Sequence, residues 1–255
     1  MKKILLVVLL VALVGIFSFS RVLDSAAKEA LTGNEFVQVS EEKDYLIFEP
    51  TVDSKDVGLI FYPQSNVEKE AYSVAGMEFA EEGFTVFVLE SGAGFEESNA
   101  IIEGNSQIGI WVIGGHGEGG NMAAEFVESH SALVEDGVVE GLLLWGSDAA
   151  TVDLTDFTAD NDLELQVLSI YGSEDTITTV SEIRNLRSLL PDDTTAYVYI
   201  AGGNNSNYAN FGLIDGDKNV SISVEEQQEI AFRYTKNLLN KINGGGTFSI
   251  SVEIK

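Results

Sequence analysis

Residues 108–120, Ile-Gly-Ile-Trp-Val-Ile-Gly-Gly-His-Gly-Glu-Gly-Gly, restrict the possible folds more than any other stretch of this chain. An apolar run that closes on glycines reads as a buried strand. The frame Gly115-His116-Gly117-Glu118-Gly119 then allows a backbone turn too sharp for most side chains. Beyond it Met122, Ala123, Phe126 and Val127 recur at helical spacing, which predicts a helix over about 119–129. A strand turning at once into a helix is the repeating step of a sheet covered by helices on both faces.

The rest of the chain repeats that step. Residues 35–40 and 44–49 alternate apolar and polar and read as an antiparallel hairpin. Apolar strands are expected over 57–62, 84–89, 110–113, 138–145, 165–171 and 196–200, and helices over 67–82, 95–103, 180–190 and 224–242. Gly83 stops the first of these helices and Pro191 the third; Ile230, Tyr234, Leu238 and Ile242 form the buried stripe of the last. Strands that are apolar throughout belong to a mostly parallel sheet with helices on both faces, so the fold class is α/β. Ligands of such sheets sit beyond the carboxyl ends of the strands. The turn at Gly117 and the segments after Tyr62, Tyr171 and Ile200 all fall at that rim. Three glycines, Gly244 to Gly246, lead to an alternating tail that predicts a short edge strand. The domains expected are thus a body over 26–242 and a hinge and tail over 243–255.

Residues 1–25 are a different material. Lys2 and Lys3 precede an apolar run over 4–17, followed by Ser18-Phe19-Ser20-Arg21. The run is short for a spanning helix and its basic start suits a signal peptide, while the poor cleavage site suits an uncleaved membrane anchor. Either way the segment engages a membrane, and the chain is expected to be extracytoplasmic, membrane-anchored or secreted. The remaining surface is strongly acidic, with 41 acidic and 14 basic residues for a formal charge of −27. Such a surface repels phosphate backbones, so nucleic acid is excluded as a partner. The chain has no cysteine, which excludes disulfides, thiol nucleophiles and iron–sulfur clusters, and its two histidines make a histidine zinc site improbable.

The strand-end motifs Gly58-Leu-Ile-Phe-Tyr-Pro63, Glu82-Gly-Phe-Thr-Val-Phe87, Trp111-Val-Ile-Gly-Gly-His116 and Ser169-Ile-Tyr-Gly-Ser173 with Asp175 resemble α/β-hydrolase family 5. The resemblance runs from about residue 35 to 242 and implies the α/β-hydrolase fold. In that family a serine at the tip of the strand–turn–helix elbow, an acid and a histidine perform hydrolysis, helped by backbone N–H donors for the oxyanion. Carried over by position, the acid is Asp175, the serine position is Gly117 and the histidine position is Asn205, in Ala201-Gly-Gly-Asn-Asn205. Glycine cannot attack a carbonyl and an amide cannot act as general base at neutral pH. The backbone N–H of Glu118 is one candidate oxyanion donor. The second would come from the loop at Gln64 and Ser65, which is glycine-rich in the family.

The reading is therefore a pseudohydrolase that keeps a pocket for a small ligand, or a fold for an envelope partner, with no cofactor and no metal. The alternatives are an active hydrolase on ester or acyl substrates, as the resemblance implies, and a structural acidic protein with a filled pocket. Among neighbouring residues, His116 is expected to be packed under the turn, His130 to cap the elbow helix and Ser147 to line the pocket. Asp215, Asp217, Asn219, Ser221, Ser223 and Glu226 have the spacing of an EF-hand calcium loop, but Val220 stands where glycine is needed. Ser223 and Glu226 are explained more simply as a capping box opening the last helix.

Overall fold

The computed structural model describes residues 23–149, 152–158, 164–244 and 251–254. The apolar N-terminal run and glycines 245 and 246 lie outside these residues. The hairpin is β1 (Val37–Glu41) and β2 (Tyr45–Pro50), paired antiparallel with Val37 opposite Pro50. β3 (Val57–Tyr62), β4 (Thr85–Leu89), β5 (Ile110–His116), β6 (Val139–Trp145), β7 (Gln166–Gly172), β8 (Thr195–Ile200) and β9 (Ser251–Ile254) follow. The sheet order is β1-β2-β4-β3-β5-β6-β7-β8-β9, antiparallel at β1 and β2 and parallel from β4 onward. The C-terminal tail pairs with the edge of the sheet, its Ile254 opposite Ile200.

Two apolar cores flank this sheet because side chains along each strand alternate faces. Leu59 and Phe61 of β3 point to one core, closed by α2 (Ser73–Glu81) and α7 (Val224–Gly244). Ile60 and Tyr62 point to the other, closed by α3 (Phe95–Gly104), α4 (Glu118–Ser129), α5 (Ser131–Glu135) and α6 (Val180–Leu186). Trp145 anchors the first core, its ring 4.9 Å from Phe61 and stacked on Tyr208 and Phe232. α1 (Ser25–Ala30), which the polar character of its residues hid from the sequence reading, packs on α2. Asp24 caps it by accepting from the Ala27 N–H at 2.9 Å, so the fold already includes Asp24 and Ser25. The helix expected over 67–82 is a 3-10 turn at Lys69–Tyr72 followed by α2, and Gly83 ends it with φ of 97°.

Candidate functional site

The elbow is built by glycine. Gly117 joins β5 to α4 at φ 53° and ψ −119°, in the left-handed region that side chains resist. A Cβ at Gly115 would sit 2.2 Å from the Gly119 carbonyl oxygen, and one at Gly119 would sit 2.2 Å from that of Tyr62. The start of α4 therefore lies directly on the backbone of β3 and β5. This close approach carries the tip to the carboxyl rim of the sheet.

The structure brings Gly117, Glu118, Gln64, Asn205 and Asp175 together at that rim. The Glu118 backbone N–H, expected to be left for an oxyanion, is already taken: it donates to Oε1 of Gln64 at 2.7 Å. The same Gln64 oxygen lies 1.9 Å from where a Cβ on Gly117 would stand. One carboxamide thus fills both the space of a nucleophile side chain and the place of a substrate oxygen. The Gln64 backbone N–H is engaged too, donating to the Tyr72 hydroxyl at 3.0 Å. Ser65 is half-buried beside it, and among the described residues no hydrogen bond joins it to this group. Neither the Glu118 nor the Gln64 N–H is free: the Gln64 side chain folds back onto the first and the Tyr72 hydroxyl takes the second.

At the base position, Asn205 is fully buried. Its amide Nδ2 donates to Asp175 Oδ2 at 2.9 Å and to the Gly146 carbonyl at 3.2 Å, which fixes its orientation, since both partners can only accept. Its Oδ1 therefore accepts, and the donor is Nε2–H of His116 at 3.0 Å. Nδ1 of His116 is then the unprotonated nitrogen and accepts from the Tyr72 hydroxyl at 2.7 Å. A continuous chain of hydrogen bonds results, from the Gln64 amide through Tyr72, His116 and Asn205 to Asp175. Asp175 ends it by accepting from the N–H groups of Ile177 and Thr178 at 2.8 and 2.7 Å.

Burial sets the electrostatics of this chain. Desolvation lowers the His116 imidazole to about 4, against the raising effect of Asn205. Desolvation likewise pushes the Asp175 carboxyl up to about 6, opposed by its hydrogen bonds from Asn205, Thr178 and Ile177. Burial raises the Tyr72 hydroxyl as well. At neutral pH the histidine is a fixed neutral donor and acceptor, with both nitrogens engaged. It sits under the turn, as expected, while the Glu118 side chain points to solvent.

The neighbouring candidates are also committed to structure. His130 accepts at Nε2 from the Asn99 amide at 3.1 Å, bonds the Phe126 carbonyl through Nδ1 at 2.9 Å, and stacks on the Phe126 ring. Ser147 donates to Asn121 Oδ1 at 2.7 Å. The calcium-like loop is otherwise occupied: Asp217 accepts from the Ser206 N–H and hydroxyl with one oxygen and from the Thr176 hydroxyl with the other. Ser223 and Glu226 bond reciprocally as a capping box. The sequence reading missed Tyr72, which carried no local signal of reaching the elbow, and the inward turn of the Gln64 side chain.

Comparisons with known proteins agree with this architecture. Solved structures that share the fold include two hydrolase-like proteins. A predicted CIB-like hydrolase from Thermoplasma acidophilum matches with a TM-score of 0.56 and 13% identity, over 79% of this chain and 99% of that one. A monoacylglycerol lipase from Paleococcus ferrophilus matches with a TM-score of 0.56 and 11% identity, over 80% and 99%. No curated protein matches the chain. The pattern of the Alpha/beta hydrolase family matches residues 58–229, which span every strand of the parallel core from β3 to β8 and the whole elbow, and the chain belongs to that family.

Proposed function

We propose that this protein is a non-catalytic member of the family, exported or membrane-anchored, whose former reaction centre now holds the fold together. One observation carries the reading. The Gln64 carboxamide occupies the position of both nucleophile and substrate oxygen, against a Gly117 that has no side chain to displace it. Hydrolysis needs an attacking atom, a base to take its proton and a donor left open for the developing charge. Here the attacking atom is absent, the base position is an amide already donating to Asp175, and the donor is filled. This arrangement favours an envelope interaction through the outer surface over a small ligand seated in the old pocket.

Turnover of short p-nitrophenyl esters and labelling by a fluorophosphonate test the reading together. The native chain is expected to show neither. Gly117→Ser with Asn205→His restores the triad residues but drives the new Cβ onto Gln64, so this double variant is expected to stay weak. Adding Gln64→Gly is expected to raise the rate by about 10²–10⁴-fold, the contribution of positioned acid–base catalysis. Circular dichroism verifies that each variant is folded. Native turnover well above background that survives changes at Gln64, Gly117 and Asn205 would establish an active hydrolase using another nucleophile.

A further inference from the structure

The segment joining β8 to α7 is pinned on both sides of a short free stretch. On one side Asp217 is bonded to Ser206 and Thr176, and the Lys218 carbonyl accepts from Asn204 Nδ2 at 2.8 Å. On the other, Ser223 and Glu226 fix the start of α7. Asn219 and Ser221 stand exposed between these anchors. Among the described residues no hydrogen bond engages the Asn219 side chain or the backbone of residues 219–221.

Asn219-Val220-Ser221 has the acceptor pattern of N-linked glycosylation, Asn-x-Ser/Thr with x other than proline. The pattern occurs once more, at Asn204-Asn205-Ser206, in the opposite environment. Asn204 is 1% exposed. Its Nδ2 is held by Lys218, its Oδ1 accepts from the Asn207 N–H at 2.9 Å, and its own N–H donates to Gln227 Oε1 at 3.0 Å. A sugar on that enclosed nitrogen has no space in the folded protein. A glycosyl transferase must draw its acceptor into a cleft of its own, which an exposed stretch without backbone bonds permits at little cost. The surroundings therefore select Asn219 over Asn204.

We propose that Asn219 is a site of N-linked glycosylation, a proposal that rests on the exported reading of the chain. The donor is a glycan carried on a lipid phosphate. Asn219 Nδ2 bonds to the anomeric carbon of the first sugar, and the bond from that carbon to the phosphate oxygen breaks. The lipid phosphate leaves with the electron pair, and a base of the transferase takes one of the two amide protons. The linkage is uncharged, so it adds hydrated bulk while the side chains keep their formal charge of −27. Because β8 leads into this segment from its carboxyl end, the glycan stands at the carboxyl rim of the sheet.

Lys218 makes the test direct, because trypsin cuts after it and places the two asparagines on separate peptides. The full chain is isolated from the cells that make it, after fractionation has established on which side of the membrane it lies. Peptide masses are expected to show glycan on the peptide that begins at Asn219 and none on the one that contains Asn204. Asn219→Gln and Ser221→Ala are each expected to lose the added mass completely, and Ser221→Thr to keep it, with thermal unfolding verifying that every variant is folded. An exported chain with an unmodified Asn219, or with glycan on Asn204 alone, overturns the site and leaves export standing. An unmodified chain found inside the cells overturns the exported reading and the site with it.

Discussion

At the scale of single residues, the polar chain at the elbow makes sharp predictions. Tyr72→Phe leaves the Gln64 N–H and Nδ1 of His116 buried without partners, which costs about 1–3 kcal/mol in urea unfolding. A change within error would show that the chain contributes nothing to stability. Ring nitrogen NMR of His116 is expected to report the neutral Nε2–H tautomer at pH 6, with titration only near 4. Because its folded pKa is depressed, the unfolded state binds the proton more readily between pH 4 and 6.5, so this residue's contribution rises with pH across that window. The stability of wild type minus that of His116→Gln should therefore grow by about 2–3 kcal/mol from pH 4 to 6.5. Asp175 acts in the opposite sense. Its raised pKa gives stability that is complete below about pH 4 and lost as pH rises through 6, so the pair nearly cancels in wild type. The sequence alone placed Gly117, Asn205 and Asp175 just beyond strand ends, which is where the elements put them. It could not show where the Gln64 side chain turns, since that depends on a contact with Glu118 made by tertiary structure.

At the scale of elements, the close contact of α4 with β3 separates two glycine classes. Gly119→Ala pushes a Cβ into the backbone of Tyr62 and Pro63 and is expected to prevent folding, seen as loss of cooperative thermal unfolding. Gly104→Ala, at the end of α3 with nothing within 4 Å of the added carbon, should be neutral or stabilise by about 0.5–1 kcal/mol. Strands were legible almost to the residue where every position is apolar, as in β3, whose burial is complete. Helix ends were less legible. The helix expected over 180–190 gives way to a 3-10 turn at Arg187–Leu189, because Pro191 disfavours helical backbone at the residue before it. Its start is set by Thr179 and Glu182 in a reciprocal capping box, a local signal that could have been read.

At the scale of the whole molecule, charge dominates. With 41 acidic and 14 basic residues, the folded chain is under net self-repulsion, which added salt screens. The thermal midpoint is expected to rise as sodium chloride is raised from about 0.05 to 1 M, where the screening length falls to about 3 Å. A midpoint that is flat or falling would show that the acidic groups are arranged without net strain. Lys69, nearly buried among Glu41, Glu70 and Glu90, shows how a scarce cation is concentrated where acids crowd.

The filled donor at Glu118 has a consequence for exchange with solvent. A working hydrolase must leave that amide exposed and unbonded, so its centre is a local weakness kept for the sake of chemistry. Here the same N–H is bonded to the Gln64 side chain, which reaches it from the loop after β3. In deuterium oxide it should exchange more slowly than the same amide in a Gln64→Gly variant, where the bond is gone. On the proposed non-catalytic reading, reopening this donor would return a soft spot to the elbow.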